Sequence, residues 1–140
     1  MLYKPNNLLG QQCYVDANFA GDWTQVDANN AENLISRTGF VIMYAGCPIL
    51  WSSKLQTEIA LSTTEAEYIA LSQAVREVLP LMELNEILHI NIAKPEFFCG
   101  VFEDNCSAIV IVESKKYTLQ TKHSALKYHH FCRYVHDKTI

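Results

Sequence analysis

The chain lacks any Cys-x-x-Cys pair: its five cysteines, Cys13, Cys47, Cys99, Cys106 and Cys132, are scattered and odd in number. This spacing argues against a disulfide scaffold and against a zinc site built from paired thiolates. Four of the five stand among apolar or aromatic neighbours, as reduced core cysteines of an intracellular protein do. The chain also has no apolar run near the roughly 20 residues that a membrane helix needs, and no basic segment leading into an apolar one at its start. Neither an internal repeat nor a low-complexity segment is present. The expectation is one soluble globular unit inside the cell, with no membrane partner.

What the chain does have is enough apolar material for a core. At 140 residues and 49% hydrophobic content it suits a single domain. Its net charge of -4 is unevenly spread. From Asn105 onward six basic side chains face two acidic ones, giving +4, whereas residues 1–104 carry five basic and thirteen acidic ones, giving -8. Four of the five histidines also lie in the basic part. An acidic body with a basic end segment can hold carboxylates on one side and a polyanion on the other, and a solvated basic helix face would give the same charge.

Read along the chain, Met1–Gly10 is an entry segment and Gln12–Phe19 a strand, with Cys13, Val15 and Ala17 on one face and Tyr14 and Asp16 on the other. Ala20–Arg37 reads as a long polar loop. Thr38–Ala45 and Pro48–Lys54, linked by Gly46 and Cys47, read as a hairpin. A long helix follows, its start marked by Ser62 and Glu65 as a capping box and its packed side by Ala66, Ile69, Ala70, Ala74, Val78 and Leu81. Pro80 predicts a kink or restart near Leu79. Phe97–Phe102 reads as a buried strand, Asp104 as the cap of a short helix through Val112, and Ser124–Asp137 as a final helix. The order predicts an α/β domain with a mixed sheet.

Three carboxylates fall at the ends of elements that should converge: Asp16 on the first strand, Glu65 in the first turn of the long helix, and Asp104 after the later strand. Each has a plain structural use, as a strand-end polar group, a cap-box member and an N-cap. If the two strands lie side by side in parallel, the three meet at one crevice, and uncompensated they repel. Oxygen-only ligands then favour Mg²⁺ or Mn²⁺ over zinc. Two such ions about 4 Å apart suit phosphodiester hydrolysis. His129, His130 and Cys132 are read as packed helix residues, because adjacent positions point roughly 100° apart on a helix.

Five blocks, Tyr-Val-Asp-Ala-Asn-Phe-Ala-Gly-Asp-Trp (14–23), Trp-Ser-Ser-Lys (51–54), Leu-Ser-Thr-Thr-Glu-Ala-Glu-Tyr (61–68), Glu-Asp-Asn-Cys-Ser-Ala (103–108) and Thr-Lys-His (121–123), resemble the ribonuclease H domain of copia-type retrotransposon polyproteins. The blocks stand in family order over nearly the whole chain. The resemblance implies a ribonuclease H-like fold: a three-stranded antiparallel part plus a parallel strand, flanked by helices. It implies Mg²⁺- or Mn²⁺-dependent cutting of the RNA strand of an RNA–DNA hybrid at a two-ion site, in partnership with the reverse-transcriptase domain of the same polyprotein and without a small-molecule cofactor. By motif position the catalytic and metal-binding carboxylates are Asp16, Glu65 rather than Glu67, and Asp104, since Glu67 lies about 200° further round the helix. Asn18, Ser62, Thr64, Asn105, Lys122 and His123 are the implied nucleic-acid contacts. Residues 1–10 correspond to the tail of the reverse-transcriptase region and 11–140 to the domain itself.

The chain departs from the family pattern in three places. Asn18 stands where an Asp is usual, and Ser124 and Ala125 follow Thr-Lys-His in place of an aliphatic residue and an acid. Ile140 also precedes the family's last strand and last helix, with its fourth metal-site carboxylate. The resemblance therefore leaves two expectations: a hybrid-specific nuclease, or an impaired, truncated remnant that keeps the fold or binds nucleic acid without cutting.

Overall fold

A computed structural model describes residues 4, 6, 9–21, 34–88, 99–113, 131–137 and 140. Within them four strands form one sheet: β1 (Gln11–Asn18), β2 (Arg37–Tyr44), β3 (Cys47–Leu55) and β4 (Cys99–Phe102). Three helices accompany them: α1 (Thr63–Leu88), α2 (Cys106–Glu113) and α3 (Cys132–His136). The sheet order is β3-β2-β1-β4, antiparallel from β3 to β1 and parallel between β1 and β4. This is the expected α/β architecture, with three antiparallel strands and one parallel strand, and it is compatible with a ribonuclease H-like fold.

Strand β1 alternates as its sequence demands, burying Cys13 and Val15 and exposing Tyr14 and Asp16. The hairpin turn is formed by Ala45 and Gly46, one residue earlier than expected, both with positive φ (51° and 78°). Two consecutive left-handed residues match the right-handed twist of the flanking strands.

Helix α1 packs on β1 and β2, with Ala66, Ile69, Ala70, Ala74, Val75 and Val78 meeting Cys13, Val15 and Ile42. Contrary to the expectation of a single packed face, every residue from Ala66 to Ser72 is buried. The second face is covered by α3 and its lead-in: the Tyr68 ring lies against Phe131 at 5.5 Å, and its hydroxyl is hydrogen-bonded to Cys132 Sγ at 3.5 Å. Nor does the helix restart at Pro80, which lies inside one continuous helix. Both Pro80 and Arg76, whose carbonyl loses its usual donor there, are exposed, so water can replace the missing bond. All five cysteines are free. No helix among the described residues is long and apolar enough to cross a membrane.

Candidate metal centre

The parallel register explains how two acids distant in sequence become neighbours. Tyr14 pairs with Phe102, and their rings stack with centroids 4.8 Å apart. Two residues beyond each of them in sequence come Asp16, still on β1, and Asp104. Asp104 lies just past the carboxyl end of β4, where a parallel sheet opens a crevice.

The third acid is Glu67. One carboxylate oxygen from each of Asp16, Glu67 and Asp104 lies within 4.8 Å of the others. Asp16 and Asp104 are exposed, whereas Glu67 is 8% exposed. Burial and the carboxylates of Glu103, Asp16 and Asp104 push the Glu67 carboxyl up to about 7. Burial is the largest of these causes. Its Oε2 is buried without a hydrogen-bond partner, as is Oε2 of Glu103. Burial, chiefly, also pushes Glu103 up, although its carboxylate accepts a hydrogen bond from the Asn105 amide at 3.0 Å. The buried Glu67 oxygen without a donor, beside two exposed acids, forms with them a donor set suited to a hard divalent cation.

Glu65 does not join this group. Its amide donates to Ser62 Oγ at 3.1 Å, and its Oε2 accepts from the Leu61 amide at 2.7 Å. The cap expected from Ser62 and Glu65 is therefore present, and it engages the carboxylate that was expected at the metal. Helical geometry does separate Glu65 from Glu67, but the face turned toward Asp16 and Asp104 is that of Glu67. Sequence reasoning did not place Glu67 in this group. A signal existed for it: the positions three, four and seven residues beyond Glu67 are Ala70, Leu71 and Ala74, so an acid there stands on a packed stripe.

Asp104 was also expected to cap α2, and it does not. Asn105 does so instead, its Oδ1 accepting from the amides of Ser107 and Ala108 at 3.0 and 3.1 Å. Asp104 is thereby left to face the other acids. Of the remaining expected contacts, Asn18 is exposed at the end of β1, Thr64 is half-buried in the first turn of α1, and the Ser62 and Asn105 side chains are engaged as caps. Lys122 and His123 lie outside the described residues.

Comparison with known proteins adds the biological context. The chain is 35% identical over 127 residues to the retrovirus-related Pol polyprotein from transposon TNT 1-94 of Nicotiana tabacum, covering 91% of this chain and 9% of that protein. It is 30% identical over 126 residues to the corresponding polyprotein from transposon RE2 of Arabidopsis thaliana, covering 90% of this chain and 8% of the relative. The chain is homologous to a segment of retrotransposon Pol polyproteins. This Pol-related segment spans less than a tenth of the length of either relative. No family model and no solved structure matches it.

Proposed function

We propose that this chain is a ribonuclease H-type nuclease domain of a copia-type retrotransposon, hydrolysing the RNA strand of RNA–DNA hybrids during reverse transcription. The observation that carries the reading is the convergence of Asp16, Glu67 and Asp104 within 4.8 Å around a buried carboxylate oxygen that has no donor. The homology to Pol polyproteins supports the biological setting, with the reverse-transcriptase domain as the partner in cis and the interior of the cell as the location.

The three carboxylates would hold Mg²⁺ or Mn²⁺, whose positive charge activates a water and steadies the leaving oxygen. Glu67 anchors the site from below, buried and turned to the acids from a packed helix. Asp16 and Asp104 stand at the surface, where the phosphodiester backbone of a hybrid can approach. Their shared negative charge repels that backbone until a cation compensates it, which ties substrate approach to metal loading. Asn18, two residues beyond Asp16 and exposed, is placed to contact the substrate beside the scissile bond.

The test is cleavage of a labelled RNA–DNA hybrid with Mg²⁺ or Mn²⁺, with Glu67→Gln and Asp104→Asn as controls. Cutting by the parent chain and its loss in both variants is the expected result. Equal cutting by parent and variants overturns the reading. Hybrid binding without cutting favours the alternative of a non-catalytic nucleic-acid-binding module.

A further inference from the structure

Gln56 follows the last residue of β3 and is 3% exposed. Its side-chain nitrogen uses both of its hydrogens: one bond goes to Thr38 Oγ1 at 3.2 Å and the other to the Ala66 carbonyl at 2.8 Å. Those two acceptors belong to α1, which bears Glu67, and to β2, the strand paired with the one that bears Asp16. Thr38 on β2 is the register partner of Ala17, the residue after Asp16. Ala66 is the residue before Glu67.

The connections run from one acid to the other. Ala17 pairs with Thr38, Thr38 accepts from Gln56, and Gln56 donates to the carbonyl of Ala66, the residue before Glu67. This link is braced from behind. The Gln56 amide donates to the Ser36 carbonyl at 2.8 Å, and Ser36 Oγ accepts from the Ala20 amide at 3.2 Å, just beyond the end of β1. We infer that Gln56 is a positioning residue of the metal centre, setting where the first turns of α1 sit against β1 and so how far the Glu67 carboxylate reaches toward Asp16 and Asp104.

The inference rests on the metal-site reading, and a second buried glutamine provides a control that separates the two. Gln11 is 4% exposed and also ties the sheet to α1, donating to the Val78 carbonyl at 3.4 Å and accepting from Asn85 at 3.1 Å. Val78 lies about 18 Å along the helix axis from Ala66. Loss of Gln11 should therefore destabilise the fold without moving Glu67.

The experiment compares Gln56→Met with Gln11→Met in the full chain by two readouts: Mn²⁺ affinity by calorimetry, and hydrogen-exchange protection of the amides in the first turns of α1. Both variants are expected to melt at lower temperature than the parent. Gln56→Met alone is expected to lose protection in the first turns of α1 and to weaken Mn²⁺ binding about tenfold, as loss of a residue behind the ligands does elsewhere. Thr38→Val, which keeps the shape and removes one of the two acceptors, is expected to weaken binding about threefold, and it serves as the test if Gln56→Met does not fold. Unchanged Mn²⁺ affinity in the folded variant overturns the inference, as does an equal loss in Gln11→Met. If the parent binds no Mn²⁺ while protection in the first turns of α1 falls only in Gln56→Met, the metal-site reading fails and the positioning of that part of the helix by Gln56 stands.

Discussion

Glu65 and Glu67, two residues apart on α1, do different work: the carboxylate of Glu65 holds the Leu61 amide at 2.7 Å, while that of Glu67 faces Asp16 and Asp104 within 4.8 Å. Two residues on a helix are separated by about 200° of rotation, so one side chain turns back to the cap and the other into the crevice.

This division of labour predicts opposite phenotypes for two conservative changes. Glu67→Gln should weaken Mn²⁺ binding by about a hundredfold or more, beyond the usual cost of losing a residue behind the ligands, and should reduce hybrid cleavage to background. Glu65→Ala should leave both intact and cost about 1 kcal/mol of stability through the lost cap bond. Calorimetric titration and urea denaturation of the two variants check this pair of outcomes. Metal binding that fails in Glu65→Ala and survives in Glu67→Gln would reverse the assignment.

The cap of α2 gives a second prediction. Asn105 satisfies two amides at the start of an eight-residue helix, a length too short to be stable without such help. Asn105→Ala should lower stability by about 1 kcal/mol, and Asn105→Asp should retain it, because a carboxylate oxygen accepts the same bonds. At this chain length the loss corresponds to a fall of about 3 °C in melting temperature, readable by circular dichroism. A larger fall in Asn105→Asp than in Asn105→Ala would show that the side chain serves something other than the cap.

Much of the architecture was legible because local pattern and tertiary role agree there. The alternation through Cys13, Tyr14, Val15 and Asp16 is that of a half-buried strand, and it placed Asp16 correctly on the open side. The hairpin was found a residue out of register at its turn, since Ala45 adopts a positive φ that its sequence does not advertise. The choice between Glu65 and Glu67 was not legible from the cap signal. Ser62 and Glu65 form a real capping box, and such a box announces where a helix begins without fixing its rotation against the sheet. Periodicity could not supply that rotation either, because residues 66–72 are all buried between the sheet and α3. The role of Gln56 depends on three elements meeting, which no local pattern reports.

The thiols carry a third prediction. Burial pushes Cys13 and Cys99 up to about 12, in Cys13 with a smaller contribution from its neighbour Cys99. Thiolates are the reactive form, so both should resist alkylation in the folded protein. Cys106, exposed at the start of α2, should react first, and Cys47, half-buried at the start of β3, more slowly. Timed iodoacetamide labelling read by mass spectrometry should give that order, with Cys13 and Cys99 modified only after denaturant is added. Early labelling of Cys13 would mean that β1 opens readily.

The ionisation of Glu67 couples stability, pH and metal in one measurable pattern. Its carboxyl is raised from 4.5 to about 7 in the folded chain by burial first and by Glu103, Asp16 and Asp104 after it. A group whose folded value is raised stabilises the fold while it is protonated, so that contribution is complete below the unfolded value and is lost as pH rises through the folded one. Without metal, the chain should therefore lose stability between about pH 4.5 and about pH 7, and Glu67→Gln, which cannot ionise, should lose less across that window. Metal binding runs in the opposite direction, because the ion requires the deprotonated carboxylate: Mn²⁺ affinity should rise with pH through about 7, and binding below that point should release a proton. Urea midpoints with and without Mn²⁺, measured on parent and Glu67→Gln, report both slopes. A metal-free parent whose midpoint falls no more than that of the variant between about pH 4.5 and about pH 7 would remove Glu67 as the titrating group, whereas stability restored by Mn²⁺ only above about pH 7 would tie its ionisation to the ion.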